Sequence, residues 1–248
     1  MKQVVFCVGL VLLLAVETRA AERPLKVLFV GNSYTAANDL PGLITALAAV
    51  GDGRKIESDR LVRGGCTFER HVTKEGALEK ILAKPWDVVV LQEQSMMPVA
   101  DAKKMHQYAR KLHAAVDKRG ARTVFFLTWA RQHLPEMQPK LNEAYFSIAD
   151  ELHATVAPVG VAWKNAMEAD PKLVLHKPDK SHPNATGSYL AACVFYATLL
   201  EKSPEGLPGT LKRQNKTLVQ LDAATARQLQ TIAWKAVKDA ARKGNSQP

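Results

Sequence analysis

Residues 87–94 read Asp-Val-Val-Val-Leu-Gln-Glu-Gln, a continuous apolar run that ends abruptly in polar side chains. An apolar run of this length predicts a strand that is buried on both faces, as in a parallel sheet. Similar runs occur on both sides of it along the chain. The predicted strands are Lys26 to Val30, Lys55 to Val62, Asp87 to Leu91, Thr123 to Trp129 and Thr155 to Val161.

Stretches of helical period separate these strands. Asp39-Leu40-Pro41 offers an N-cap and a proline in the first turn, and predicts a helix through about Val50. The other predicted helices run from Asp101 to Lys118, Leu141 to His153, Asn184 to Leu200 and Asp222 to Arg242, with a loop that includes 170–182 before the fourth. Strands that alternate with helices predict an α/β fold, with a mostly parallel sheet covered by helices on both faces.

The composition indicates one large globular domain. The chain has 248 residues, of which 47% are hydrophobic and 23% charged, so it can bury a core and is not a disordered or fibrous protein. Its formal net charge is +10, but the excess is spread over doublets such as Lys103-Lys104 and Arg110-Lys111 and over the C-terminal segment. Because no basic stripe is interleaved with aromatic residues, we expect no nucleic-acid partner.

Residues 1–20 have a composition of their own. Lys2 precedes an apolar run from Val4 to Val16, which is shorter than the roughly 20 residues of a membrane span and is followed by small residues at Ala20-Ala21. This pattern predicts a signal peptide over 1–20 and a single mature domain over 21–248 that ends in a helix. We therefore expect an exported protein, periplasmic or secreted, without a stable membrane span after cleavage; the alternative is an uncleaved anchor.

Two cysteines would remain in the mature chain. Cys66 and Cys193 could form one disulfide in an oxidising compartment. Cys193 lies in the apolar stretch Ser188 to Leu200, which favours a buried free thiol.

Polar clusters follow the first three predicted strands, where the functional groups of a doubly wound sheet gather. They are Gly31-Asn32-Ser33, Gly64-Gly65-Cys66-Thr67 and Gln92-Glu93-Gln94-Ser95, and a fourth cluster, Asp179 to Asn184, precedes the penultimate helix. A serine on a tight turn is by itself ordinary loop chemistry. A late histidine with an aspartate three residues before it changes this interpretation, because an activated serine needs a base and the base needs a carboxylate.

These four blocks resemble the SGNH or GDSL-type hydrolases in order and spacing. Ser33 matches the family's nucleophile, with Asn32 where the GDSL motif has Asp, and Asp179 and His182 match the family's Asp-x-x-His element. Gly65 is similar to the glycine whose amide contributes to the oxyanion hole. The resemblance implies a three-layer α/β/α sandwich of flavodoxin-like type with about five parallel strands.

The third block departs from the family's Gly-x-Asn-Asp pattern. Gln94 stands where the asparagine is expected and keeps a carboxamide with one more methylene. Gln92 as the donor, or backbone donors alone, are the alternatives. By the resemblance, Ser33, His182 and Asp179 carry a two-step acyl transfer without a cofactor, and an oxyanion hole is formed by Ser33, Gly65 and Gln94.

Two other functions stay open at the level of sequence. His176, Asp179 and His182 are spaced by three and could ligate a metal in a metal-dependent hydrolase. A substituted third block is also compatible with a catalytically silent ligand-binding module. For an esterase, the sequence favours short acyl esters, on small molecules or carbohydrates, and Trp129 and Trp163 could line a sugar site although core packing is their usual role.

Overall fold

The computed structural model describes residues 22–51 and 54–244. The predicted signal peptide, residues 1–20, lies outside these described residues. Within the described part of the chain, no helix is both long enough and apolar enough to cross a bilayer.

A five-stranded parallel sheet forms the centre of the fold. The strands are β1 (Leu25–Gly31), β2 (Ile56–Val62), β3 (Val88–Leu91), β4 (Arg122–Phe126) and β5 (Thr155–Ala157). Their order across the sheet is β2-β1-β3-β4-β5, and all neighbours are parallel. This is the flavodoxin-like order, so the predicted α/β architecture is confirmed.

Helices cover both faces of the sheet. They are α1 (Ser33–Ala36), α2 (Leu40–Val50), α3 (Phe68–Thr73), α4 (Ala77–Ala83), α5 (Met97–Ala100), α6 (Ala102–Asp117), α7 (Met137–Glu151), α8 (Val159–Ala169), α9 (Ala185–Leu200) and α10 (Ala223–Gly244), and a 3-10 turn, Ala37–Asp39, joins α1 to α2. Alternate residues of β1 point to opposite faces. Phe29 packs in the core with α2, α8, α9 and α10, and Leu28 packs in the core with α3, α4, α6 and α7.

The predicted strand Thr155 to Val161 is longer than the strand that forms there. The apolar run Thr155 to Val161 contains only a three-residue strand, because the chain turns at Pro158 and enters α8. Gly160 lets the first turn of α8 pack closely against the chain after β4, since a Cβ there would lie 2.0 Å from the carbonyl oxygen of Thr128. The apolar residues Ala162 and Ala166 then recur at helical spacing and are buried.

A β-hairpin was also missed. Strands β6 (Thr210–Arg213) and β7 (Lys216–Gln220) are antiparallel and pack beside α2 and α9. The turn consists of Gln214 and Asn215, both at positive φ, without the glycine that usually announces a two-residue hairpin turn.

Cys66 and Cys193 are both buried and free. Burial raises the pKa of the Cys66 thiol to about 11, and burial likewise raises the pKa of Cys193. Both thiols therefore stay neutral and pack as small apolar groups.

Candidate active site

Ser33 is held at the point where β1 ends and α1 begins. The Asn32 side chain caps α1 by accepting a hydrogen bond from the Tyr34 amide, and its Nδ2 donates to the Cys66 carbonyl at 3.2 Å. Gly31 is required by close packing, because a Cβ would lie 2.5 Å from Thr35 Oγ1. The strand, the cap and the tight turn together fix the position of the serine.

His182 lies between Ser33 and Asp179. Its Nε2 is 2.8 Å from Ser33 Oγ, and its Nδ1 is 2.7 Å from Asp179 Oδ2. The side chains of His182 and Asp179 are 35% and 49% exposed, so the three residues lie in line at the surface. This is the arrangement in which a base can take the serine proton while a carboxylate orients the imidazole.

Asp179 also shapes the loop that carries it. Its Oδ1 accepts hydrogen bonds from the backbone amides of Ser181 and His182, both at 2.9 Å. These two amide bonds are the main reason why the pKa of Asp179 is lowered to about 2, and the bond from His182 lowers it further. The carboxylate therefore remains ionised at neutral pH.

Stacked aromatic side chains contact the loop that carries Asp179 and His182. Tyr34 stacks on Trp129, which stacks on Trp163, with ring centroids 4.7 and 4.0 Å apart. The Tyr34 hydroxyl lies 2.6 Å from Ser181 Oγ, and Trp129 Nε1 donates to the Ser181 carbonyl at 3.0 Å. Trp129 and Trp163 are only 1% and 2% exposed, so they pack in the core and do not form an exposed sugar platform.

The residues before α2 differ from the predicted N-cap. The Asp39 side chain makes no capping hydrogen bond and instead pairs with Arg60 and Arg213. Asn38 adopts a positive φ of 50° and donates from Nδ2 to the carbonyl of Pro183 and to Ser188 Oγ. Asn38 thus ties the turn after Ser33 to the residue that follows His182.

Gly65 lies in the turn after β2, beside the nucleophile turn. It adopts a φ of +62°, which favours glycine for conformational reasons, and a Cβ there would meet open space. β1 and β2 end in register at Gly31 and Val62. The bond from Asn32 to the carbonyl of Cys66 then holds the Gly65 turn against the serine turn.

The two glutamines of the third block have different contacts. Gln94 Oε1 accepts hydrogen bonds from the amides of Met96 and Met97 at 2.7 and 3.2 Å, which leaves the NH₂ end of its carboxamide as the available donor. Gln92 is fully buried, and its Nε2 donates to the Glu93 carbonyl. The contacts therefore favour Gln94 over Gln92 as the side chain that can donate into the site.

Gln92 instead binds the turn that carries Ser33. Its Oε1 accepts from the Asn32 amide and from Thr35 Oγ1, both at 2.9 Å.

Glu93 was not expected to matter, and it lies at the centre of the site's support. It is 1% exposed, and its Oε1 accepts from the amides of Phe68 at 3.0 Å and Gln94 at 2.6 Å. Burial raises its pKa to about 7 against the opposing effect of these two bonds. A charged residue directly after a buried strand was the signal in the sequence, but its burial could not be inferred from the pattern.

The metal-binding alternative is wrong for the proposed ligands. His176 is buried, and its Nε2 lies 3.1 Å from the Ala130 carbonyl, so it does not converge with Asp179 and His182. Nowhere in residues 22–51 and 54–244 do three His, Cys, Asp or Glu side chains gather in a way that could hold a metal ion.

Solved structures share this architecture. No family model matches the chain, and no curated protein matches it. A protein from Slackia heliotrinireducens assigned to the SGNH hydrolases is 27% identical, and the match covers 71% of this chain and 100% of that one with a TM-score of 0.63. The chain therefore has the fold of the SGNH/GDSL-type hydrolases and resembles that family.

Two further structures match this chain in fold. A DUF4886 family protein from Bacteroides uniformis is 18% identical over 87% of this chain and 95% of its own, with a TM-score of 0.64. An acetylxylan esterase from Geobacillus stearothermophilus is 16% identical over 72% of this chain and 95% of its own, with a TM-score of 0.58. Together the hydrolase and esterase neighbours support a hydrolase as the general class.

Proposed function

We propose that this chain is a serine ester hydrolase that uses Ser33, His182 and Asp179. The observation that carries the proposal is the continuous contact from Ser33 Oγ to His182 Nε2 at 2.8 Å and from His182 Nδ1 to Asp179 Oδ2 at 2.7 Å. A silent binding module would need neither the base within reach of the serine nor the carboxylate behind it.

The reaction proceeds in two acyl-transfer steps. Ser33 Oγ attacks the ester carbonyl while His182 Nε2 accepts the hydroxyl proton, and the resulting imidazolium is stabilised by ionised Asp179. His182 then gives that proton to the departing alcohol as the carbon–oxygen bond breaks. A water that gives its proton to His182 attacks the acyl-enzyme, and collapse of the second tetrahedral intermediate releases the acid and restores Ser33.

Negative charge that develops on the carbonyl oxygen needs donors at the same edge of the sheet. The backbone amides of Ser33 and Gly65 and the carboxamide NH₂ of Gln94 are the groups we assign to this task. The loops that follow β1, β2 and β3 carry them, and these three strands are neighbours.

For the substrate, we infer short acyl esters, on small molecules or on carbohydrates. The acetylxylan esterase of the same fold supports the inclusion of acetylated sugars among the compounds to test. Because both candidate tryptophans are buried, a sugar would have to be recognised by polar groups of the loops.

We also infer export, to the periplasm or the medium. The support is the apolar run from Val4 to Val16 with small residues after it. The intact mass of exported protein should correspond to a chain that starts at or within a residue or two of Ala21, and a mass that retains Met1 would contradict cleavage.

The function is tested with an ester panel, from p-nitrophenyl acetate to laurate and with acetylated sugars, together with a covalent serine probe. Ser33→Ala and His182→Ala should each remove nearly all hydrolysis and labelling, and the double variant should add little because the residues act as a unit. The exposed Ser147 on α7, changed to Ala, is the matched control. Turnover close to wild type in Ser33→Ala would contradict the serine mechanism, and loss of activity on chelation would indicate a metal instead.

A further inference from the structure

The loop after β4 lies directly against the loop that carries Asp179 and His182. The contacts between the two loops are Trp129 Nε1 to the Ser181 carbonyl at 3.0 Å, His176 Nε2 to the Ala130 carbonyl at 3.1 Å, and the Gln132 amide to the Lys180 carbonyl at 2.9 Å. Arg131 lies in the middle of this contacting segment, at the carboxyl end of the sheet. Its side chain therefore starts beside the proposed catalytic residues.

Arg131 lacks the carboxylate partner that most of the described arginines have. Its Nε is buried, and within residues 22–51 and 54–244 its guanidinium makes no hydrogen bond and no ion pair. Arginines with carboxylate partners are Arg23 and Arg54 with Asp87, Arg60 and Arg213 with Asp39, Arg63 and Arg70 with Glu75, Arg110 with Glu151, Arg122 with Glu201, and Arg242 with Asp239. The buried Nε–H of Arg131 therefore has no acceptor among the described residues. A buried donor of a charged group is costly to leave without an acceptor, so a ligand or a water is needed there.

The charge around Arg131 is positive. Lys177 and Lys180 are exposed on the neighbouring loop, and neither forms an ion pair with another described residue. The acid on that loop, Asp179, is already bound to two backbone amides and to the His182 ring. The mouth of the site therefore favours an anion, which also raises the rate at which charged substrates arrive.

We propose that Arg131 binds an anionic group, a carboxylate, on the ester substrate. The planar guanidinium fork matches a carboxylate with two parallel hydrogen bonds, and a lysine cannot reproduce that geometry. This inference rests on the proposed esterase function and narrows it to esters that carry a negative charge, on the acyl part or on the alcohol part.

Matched ester pairs test the proposal. The p-nitrophenyl ester of acetate is compared with that of succinate, which places a carboxylate on the acyl part. Acetylated glucose is compared with acetylated glucuronic acid, which places it on the alcohol part. The wild-type chain should prefer the charged member of at least one pair, and the pair that shows the preference identifies the part of the substrate that Arg131 contacts.

Arg131→Gln should remove this preference. A charge-assisted pair of hydrogen bonds predicts that kcat/KM for the charged ester falls by about 10- to 100-fold, mainly through KM, while the neutral ester changes by less than about 2-fold. Arg131→Lys should recover part of the loss. The control is Arg119→Gln, which removes the same charge from an exposed turn before β4, at the opposite end of the sheet.

An equal effect on the charged and neutral esters, or equal effects of Arg131→Gln and Arg119→Gln, would overturn the proposal. Binding of free succinate and glucuronate, followed by calorimetry, gives a readout that needs no hydrolysis. If the wild-type chain hydrolyses no ester, the proposed function fails, and the Arg131 site then stands only if acid binding is lost in Arg131→Gln and kept in Arg119→Gln. Without such binding, the guanidinium is satisfied by water and the proposal fails as well.

Discussion

Gln92, Glu93 and Gln94 are adjacent and similar in size, yet each has a separate task. Gln92 fixes the nucleophile turn through the Asn32 amide, and Glu93 joins the amides of Phe68 and Gln94. Gln94 has its carbonyl oxygen committed to the start of α5, so only its NH₂ group can serve a substrate. Gln92 and Glu93 therefore support the site, and Gln94 is the residue of this block that we propose as an oxyanion donor.

The contacts of Gln94 give a sharp prediction. If its NH₂ group donates to the developing oxyanion, Gln94→Ala should lower kcat by about 100- to 1000-fold with little change in KM, because the bond strengthens only as charge develops. Gln94→Asn should recover part of the loss if the backbone adjusts to the shorter side chain. Steady-state kinetics of both variants measure this.

Gln92→Ala is the comparison variant for this experiment. Loss of the two hydrogen bonds to Gln92 Oε1 should lower the melting temperature as well as activity, whereas Gln94→Ala should leave the fold nearly unchanged. A normal kcat in Gln94→Ala with a collapsed one in Gln92→Ala would transfer the role to Gln92. Normal values in both would leave an oxyanion hole made by backbone amides alone.

At the scale of single residues, the sequence motifs identified the side chains that contact one another in the site, but not the residues that hold them in place. Ser33, Asp179 and His182 were predictable because each stands beside a turn signal and the three residue types complete one another chemically. Glu93 and Arg131 were not, since a sequence does not show which charged side chain loses its water or its partner. Burial and pairing of a single charge are results of the tertiary structure.

At the scale of elements, strands were easiest to predict where both faces are buried. The run Asp87 to Leu91 contains the whole of β3, because continuous apolar sequence is what such a strand requires. Thr155 to Val161 satisfied the same pattern, and there the backbone turn at Pro158 overrode it and began α8. Short apolar runs do not distinguish a buried strand from the first turn of a buried helix.

At the scale of elements, we predict that Asn38, in the turn between α1 and α2, contributes to the stability of the fold. Asn38→Ala removes the hydrogen bonds to Pro183 and Ser188, and it also replaces asparagine, which tolerates a φ of 50°, with alanine, which rarely adopts it. Together these effects should lower the free energy of unfolding by about 2 kcal/mol. The loop that carries His182 should also become less well positioned, with a fall in kcat.

Asn38→Gly separates the two effects, because glycine loses the hydrogen bonds but tolerates the positive φ. Urea unfolding should therefore find Asn38→Gly more stable than Asn38→Ala, with similar kcat values for the two. If the two variants are equally stable, backbone conformation does not contribute at this turn.

For the whole molecule, strand order accounts for the position of the site. β1 lies between β2 and β3, so the loops with Ser33, Gly65 and Gln94 meet at the carboxyl edge of the sheet. A hollow of about 950 Å³ lies at the opposite edge, where residues such as Arg122, Thr155 and Trp234 line it. This hollow lies away from the loops that carry Ser33, Gly65 and Gln94, and none of those residues lines it.

Stability of the whole fold should depend on pH through Glu93. Its pKa is about 7 in the folded chain, raised from 4.5 by burial. Below pH 4.5 the carboxyl is protonated in both the folded and the unfolded chain, and its burial costs least. Between pH 4.5 and 7 the unfolded chain releases the proton first, so the folded state is progressively destabilised as pH rises, by about 3 kcal/mol in total.

Glu93→Gln removes this titration while it keeps an oxygen that can accept from the amides of Phe68 and Gln94. Relative to wild type, the variant should therefore gain about 3 kcal/mol of stability between pH 4.5 and pH 8, whatever constant offset the substitution brings. The titratable and charged groups that face Glu93 keep their charge state in this interval. Burial raises the pKa values of Cys66 and Tyr145. The ion pair between Glu69 and Lys104 lowers the pKa of Glu69 and raises the pKa of Lys104. Urea unfolding of both proteins across this interval measures the difference, and the exposed Glu136, changed to Gln in parallel, controls for the loss of a negative charge. A difference between wild type and Glu93→Gln that stays constant with pH would mean that Glu93 is ionised in the folded chain throughout, and that its two amide bonds outweigh its burial.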